Sequence, residues 1–245
     1  MGKVIVVVSG KGGTGKTTAV GAIGSCLAAM GNSTLCVDCD AGLRNLDITL
    51  GMTNYAASDL CRVMDGECTL SEAIIKHPEI DNLSFLDAPP SYRAEYDLQK
   101  AKDVFAVIRE CFDFCLLDAP AGIGPDVEFA ASLADMAIIV ATGDASSIRD
   151  GQVMSAKLHE AGIGDIRLLV NRVRGGLFRK TGSTIDNMID SVGARLIGVI
   201  KEDREVPLSA NLETPLVLYS RKSAAKGFLK VAQRVTGVDV PISVK

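Results

Sequence analysis

The chain has 245 residues, 47% of them hydrophobic and 4% aromatic, with no Trp and a formal net charge of −4. This allows a substantial core built mainly from Val, Ile, Leu and Ala. An acidic chain has no bulk attraction for nucleic acid or anionic lipid, so binding either one needs a local basic patch. Seven cysteines, an odd number, sit in apolar contexts such as STLCVDCD. With no leader pattern at the start, they predict reduced thiols in a cytoplasmic protein. No apolar stretch nears the ~20 residues that cross a bilayer.

Short apolar runs predict strands at 4–8, 34–38, 83–86, 114–118, 136–141, 166–170 and 196–200. Several do not alternate apolar with polar residues, the pattern of strands buried on both faces of a parallel sheet. Helical spacing predicts a helix over 16–30 that stops at Gly31 and another over 146–160 that stops near Gly162, glycine being the residue that caps a helix in the left-handed conformation. A third is predicted over 221–236, with Ala224, Phe228, Val231 and Val235 on one face and Gly237 as its cap. Alternating βαβ units imply an α/β fold with a doubly wound, mostly parallel sheet and right-handed crossovers. No repeat, low-complexity tract or linker composition interrupts the chain, so one domain over 1–245 is expected.

Directly behind KVIVVV comes SGKGGTGKTT, residues 9–18. Gly10 to Thr17 match G-x-x-x-x-G-K-[ST], between a buried strand and a helix, which a glycine-rich turn with chance lysines would not require. Gly10, Gly12, Gly13 and Gly15 let the backbone curl so that successive N–H groups, through Thr14 to Thr18, face phosphate oxygens. The helix that follows adds its positive end. Lys16 is expected at the β- and γ-phosphates, and the Thr17 hydroxyl on Mg²⁺. FCLLDAP ends an apolar strand in Asp118, where a parallel sheet presents its carboxyl edge. That position suits an Asp holding Mg²⁺ through water.

Lys11 stands too early in the loop for the cradling role. With it the loop reads K-G-G-x-G-K-T-T, and the chain resembles the MinD/ParA family of deviant Walker A P-loop ATPases over almost its whole length. The resemblance implies a P-loop NTPase three-layer sandwich of the SIMIBI type that binds ATP and Mg²⁺ and forms an ATP-dependent homodimer. It implies that Lys11 reaches across the dimer to the partner's nucleotide, as arginine fingers worth about 10³–10⁵ in rate do. VDCDAGLRNLDITLGM (37–52) is similar to the family's first switch segment. There Asp40 is implied to polarise the attacking water, Asp38 to support the Mg²⁺ shell and Asn45 to belong to the switch. LLDAPAGIGPD (116–126) is similar to the second switch, with Ala119, Pro120 and Gly122 closing on the γ-phosphate. ASSIRDG (145–151) matches a segment that approaches the dimer interface. LLVNRVR (168–174) carries Asn171 and Arg172, like the family's adenine-contacting pair, and in GVIKEDREV (198–206) Glu202 and Asp203 are implied to flank the purine.

The implied activity is slow ATP hydrolysis, accelerated by a partner protein, in a timed switch that controls spatial positioning. In MinD-type members it selects the division site. Such members usually end in a short amphipathic helix that docks on the inner membrane face, whereas here the chain ends VAQRVTGVDVPISVK. A basic stripe of Lys222, Lys226, Lys230 and Arg234 on the last helix, and a second cluster of Arg172, Arg174, Arg179 and Lys180, are either solvated surface or a docking face for lipid or DNA phosphates. ParA-type DNA partition is therefore the rival reading. Metallocentre maturation is a weaker one, because strand alternation splits Cys36 and Cys39 onto opposite faces. Cys36, Cys39, Cys111 and Cys115 read better as buried, inert thiols, and His77 and His159 stand alone.

Overall fold

The structure, a computed structural model, describes residues 1–41, 44–55, 58–89, 96–174 and 184–242. Among these, eight strands make one sheet: β1 (Lys3–Val8), β2 (Thr34–Asp38), β3 (Ile75–Lys76), β4 (Leu83–Leu86), β5 (Phe114–Asp118), β6 (Met136–Thr142), β7 (Asp165–Val173) and β8 (Arg195–Lys201). Their spatial order is β3-β4-β2-β5-β1-β6-β7-β8. All pairings are parallel except that of β3 with β4. The helices are α1 (Lys16–Ala29), α2 (Leu46–Leu50), α3 (Leu60–Met64), α4 (Leu70–Ala73), α5 (Leu98–Cys111), α6 (Pro125–Ser132), α7 (Ala145–Glu160), α8 (Ile185–Val192), α9 (Glu205–Asn211), α10 (Leu216–Tyr219) and α11 (Ser223–Val235). The seven expected strands are present, and β7 runs on through the Asn171–Arg172 pair.

The unalternating runs bury both faces of the sheet. Along β1, Val4, Val6 and Val8 enter the core layer shared with Phe105 of α5, Val127 of α6, Met154 of α7 and Met188 of α8. Ile5 and Val7 enter the opposite layer, with Ile23 and Leu27 of α1 and Phe228 and Val231 of α11. Helices thus cover both faces, giving the expected three-layer arrangement. At roughly 1.5–3 kcal/mol for each fully buried aliphatic or Phe side chain, these two layers supply the main force holding sheet to helices.

The register places the chemistry. Val7 pairs with Asp118 and Asp38 pairs with Asp118, so the carboxyl ends of β1, β5 and β2 lie side by side. In open α/β sheets, ligands bind in the crevice outside such an edge. The two cysteines of the VDCD region divide as alternation requires, Cys36 facing the α1 layer and Cys39 packing against the other. Burial pushes the Cys36 thiol up to about 12, and the Cys39 and Cys115 thiols rise well above their ordinary value for the same first reason. Cys111, expected to be buried, is instead exposed, because it ends α5 on a face turned from the core.

Candidate nucleotide site

The turn from β1 into α1 is built by glycine. Gly15 has a φ of +91°, and a Cβ there would meet the Asn171 amide nitrogen at 2.3 Å. Gly10 packs so closely on α7 that its Cβ would lie 2.4 Å from the Asp150 Cβ. Gly12 differs, since nothing of the chain lies within 4 Å of a Cβ placed there. The space over the loop is open, as a phosphate cradle needs. Gly15 caps α1 without a side-chain hydrogen bond, and the first turn of α1 has no acidic residue. Among the described residues no acidic side chain of that turn meets its orphan N–H groups, and a phosphate fits them.

Lys16 and the carboxylates sit beneath this turn. The Lys16 ammonium lies 3.0 Å from an Asp118 oxygen, with the two side chains 6% and 1% exposed. Burial raises the Asp118 carboxyl above the ordinary range, opposed by Lys16 and by a hydrogen bond from Thr17. Asp38 accepts hydrogen bonds from the Asp40 N–H at 2.8 Å and the Leu46 N–H at 3.2 Å. Burial first, and Asp118 second, push it up to about 7. Asp40 is close enough for its charge to raise both neighbours. Two buried acids, a third beside them and a threonine hydroxyl form a hard oxygen set with one lysine to balance it, and a divalent cation fits there. Among the described residues no group of three or more His, Cys, Asp or Glu side chains could hold a metal alone.

The remaining site residues arrange themselves around the loop. Asn171 is buried at the end of β7 and donates to the Thr14 carbonyl at 2.8 Å. Arg172, with a positive φ of 55° beside a register shift between β7 and β8, donates to the Gly13 carbonyl at 2.9 Å. Both thus brace the P-loop from the side opposite Asp118. Glu202 accepts from Arg172 at 3.3 Å and also pairs with Arg174. Asp203 accepts from the N–H groups of Glu205 at 3.0 Å and Ala224 at 3.1 Å, joining the starts of α9 and α11. Of the second switch, Ala119 and Pro120 are buried, and the Gly122 N–H is tied to the Ser9 carbonyl at 3.0 Å. Asn45 is exposed at the start of α2. Gly42 and Leu43 of the first switch lie outside the described residues, as do Arg179 and Lys180 of the second basic cluster.

Lys11 goes elsewhere. Its ammonium bonds to Asp144 at 2.6 Å and to the Ser146 hydroxyl at 2.8 Å, at the start of α7. Sequence reasoning did not single out Asp144. The signal available was an N-cap aspartate ahead of a helix, and the Asp144 carboxylate does accept the Ser147 N–H. Nothing local points from there to a lysine 133 positions earlier.

A glycine-turned phosphate loop after the central strand, an aspartate at the end of the neighbouring strand and a second loop lysine define a P-loop ATPase of the deviant Walker A class. A family model described as an AAA domain matches residues 2–156. The chain is 35% identical over 249 residues to the septum site-determining protein MinD of Bacillus subtilis, covering 100% of this chain and 92% of that protein. It is 33% identical to the Synechocystis protein of the same name, covering 98% and 92%. Among solved structures, MinD in a MinC:MinD cell division complex from Aquifex aeolicus aligns with a TM-score of 0.92 at 32% identity, covering 98% of each chain. MinD of Pyrococcus horikoshii complexed with Mg-ADP aligns with a TM-score of 0.84 at 29% identity, covering 96% of each. The chain belongs to the MinD/ParA family of P-loop ATPases, on its MinD side.

Proposed function

We propose that this protein is an ATP-dependent dimerising switch of the MinD type, which hydrolyses ATP slowly and sets the position of the division septum. The observation that carries the reading is the different placement of the two loop lysines. Lys16 is buried on Asp118, while Lys11 bonds Asp144 at the start of α7.

In the ATP-bound state Lys16 exchanges Asp118 for the β- and γ-phosphates, and the loop N–H groups from Gly10 to Thr18 cradle them. Thr17 and Asp118, supported by Asp38, would hold Mg²⁺, which when bound would supply charge neutralisation to the phosphates. Asp40 orients the attacking water, and Lys11 neutralises the transferring phosphoryl group of the neighbouring subunit. Asn171 and Arg172 then turn part of their hydrogen bonding to the purine, with Glu202 and Asp203 at its margin. Asn45 and the Ala119–Gly122 segment move with the γ-phosphate. Hydrolysis releases the dimer. One domain carries all of these parts, and a partner protein that engages the dimer speeds the chemical step. The relative solved in a MinC:MinD complex supports a protein partner.

The test is sedimentation of Asp40→Ala protein with ATP and with ADP. Dimers in ATP and monomers in ADP are expected, and monomers in both would contradict the reading.

One observation favours docking on an anionic surface. Lys222, Lys226 and Lys230 are exposed along α11. Arg234, which the sequence pattern put on the same stripe, instead bonds the carbonyls of Ile197, Val240 and Pro241 and anchors the following segment. Among the described residues no helix is long and apolar enough to cross a membrane. A lysine ridge on a dimer suits peripheral attachment to anionic lipid, where two weak contacts act as one strong one. A ParA-type reading places DNA phosphates on the same ridge. Salt-sensitive pelleting with anionic vesicles but not with duplex DNA supports lipid, and the reverse supports DNA.

A further inference from the structure

The ammonium group of Lys11 is bound by a prepared acceptor. Asp144 sits between β6 and α7, and its oxygens take hydrogen bonds from the Thr142 hydroxyl, the Ser146 hydroxyl at 2.7 Å and the Ser147 N–H at 3.0 Å, besides Lys11 at 2.6 Å. Ser146 gives Lys11 its second acceptor at 2.8 Å. Partial burial raises the Asp144 carboxyl, but the hydrogen bonds from Lys11, Thr142, Ser146 and Ser147 outweigh it and hold the group well below the usual carboxylate range. The neighbouring loop residue, Gly10, packs without spare room on Asp150 of the same helix. The early half of the P-loop is therefore clamped to α7 at two points, one backbone and one ionic.

A lysine held this way is not free to serve a second subunit. We propose that Asp144, with Ser146, is a positioning residue for Lys11: it latches the ammonium to the chain's own α7 in the free monomer and releases it only to a neighbouring triphosphate. This rests on the reading of Lys11 as a residue that acts across the dimer. The latch sets a threshold. A γ-phosphate adds negative charge where Lys11 arrives and outcompetes Asp144, whereas a diphosphate offers less and leaves the lysine latched. The side chains are 36% and 50% exposed. Pairs this open shift an equilibrium by only roughly 1.4- to 5-fold each. A dimer opens two of them, so removing the latch tightens the dimer by roughly 2- to 30-fold.

Asp144→Asn is the variant to make, because asparagine caps a helix about as well as aspartate and α7 keeps its start. In an Asp40→Ala background with ATP and Mg²⁺, analytical ultracentrifugation should give a dimer dissociation constant lower by that factor, and dimers should begin to form with ADP. Ser146→Ala should shift the constant in the same direction by less, and Asp144→Glu should return it toward the starting value. An unchanged or weaker dimer in Asp144→Asn overturns the latch. A second readout needs no dimer: reductive methylation of nucleotide-free monomer, followed at Lys11 by mass spectrometry. Lys11 should be modified more slowly in the parent protein than in Asp144→Asn, and equal rates overturn the latch. Unequal rates in a chain that never dimerises with ATP would keep Lys11 latched in the monomer while overturning the switch reading.

Discussion

Lys16 and Asp118 form a buried ion pair, 3.0 Å from ammonium to carboxylate, at the floor of the site that the nucleotide is to occupy. The pair couples the P-loop to the end of β5. Removing one partner leaves the other buried and uncompensated, which costs about 3–5 kcal/mol. Lys16→Met should therefore unfold more easily than the parent protein in denaturant without nucleotide. Lys16→Met/Asp118→Asn should recover much of that loss, while neither variant binds ATP. A double variant no more stable than the single one would show that the pair does not carry the coupling.

Asp38 gives a pH dependence of known sign. Its carboxyl is pushed from the ordinary 3.8 to about 7 by burial and by Asp118, so the folded protein holds this proton more tightly than the unfolded chain. The stability from this group is full below the ordinary value and is lost as pH rises through about 7. Unfolding of nucleotide-free protein should show this loss between about pH 4 and 7, and Asp38→Asn should flatten it. Binding of Mg²⁺ with nucleotide favours the ionised form, so stabilisation by Mg-ATP should grow across the same range.

His77 has the opposite sign. Its Nδ1 accepts the N–H groups of Glu79 and Ile80 at 3.0 Å each, and its Nε2 lies 2.9 Å from the Leu50 carbonyl that ends α2. Burial lowers its pKa below the ordinary 6.5, and a proton on Nδ1 would displace both N–H donors. Its contribution is complete above that value and is lost as pH falls below it. Compared with His77→Gln, the parent protein should lose stability more steeply as pH falls below 6.5, read by thermal unfolding.

The frame of this site is legible in the sequence because its signals are local. A glycine loop between an apolar run and a helix, and an Asp closing another apolar run, each fit within a short window, and the sheet register brings them together. β3 escaped because two residues, Ile75 and Lys76, are too short to show a period, and their antiparallel pairing depends on a turn held by His77. The partners of Lys11, Arg234 and Asp203 escaped for a different reason. Each charge satisfies groups that only the fold brings near: Asp144 for Lys11, three carbonyls for Arg234 and two helix starts for Asp203. A charge pattern along a helix names the residues that can face outward, and it does not say which of them the backbone claims.

Lys11→Ala should leave the monomer intact. Its ion pair is exposed, and exposed pairs contribute about 0–1 kcal/mol, so thermal unfolding without nucleotide should scarcely change. Dimerisation with ATP should be lost. Unimpaired dimers in this variant would remove Lys11 from the interface.

If Lys16 serves its own nucleotide and Lys11 its neighbour's, the two lysines can be supplied by different chains, and a mixing experiment reads this out. Lys11→Ala and Lys16→Ala proteins, each inactive alone, are combined and ATP hydrolysis is measured. A mixed dimer has one complete site, with Lys16 from the first protein and Lys11 from the second, so mixing should restore measurable hydrolysis. A mixture as inactive as its components, with mixed dimers shown to form, would mean that both lysines act on the same nucleotide, and would contradict the division of labour between them.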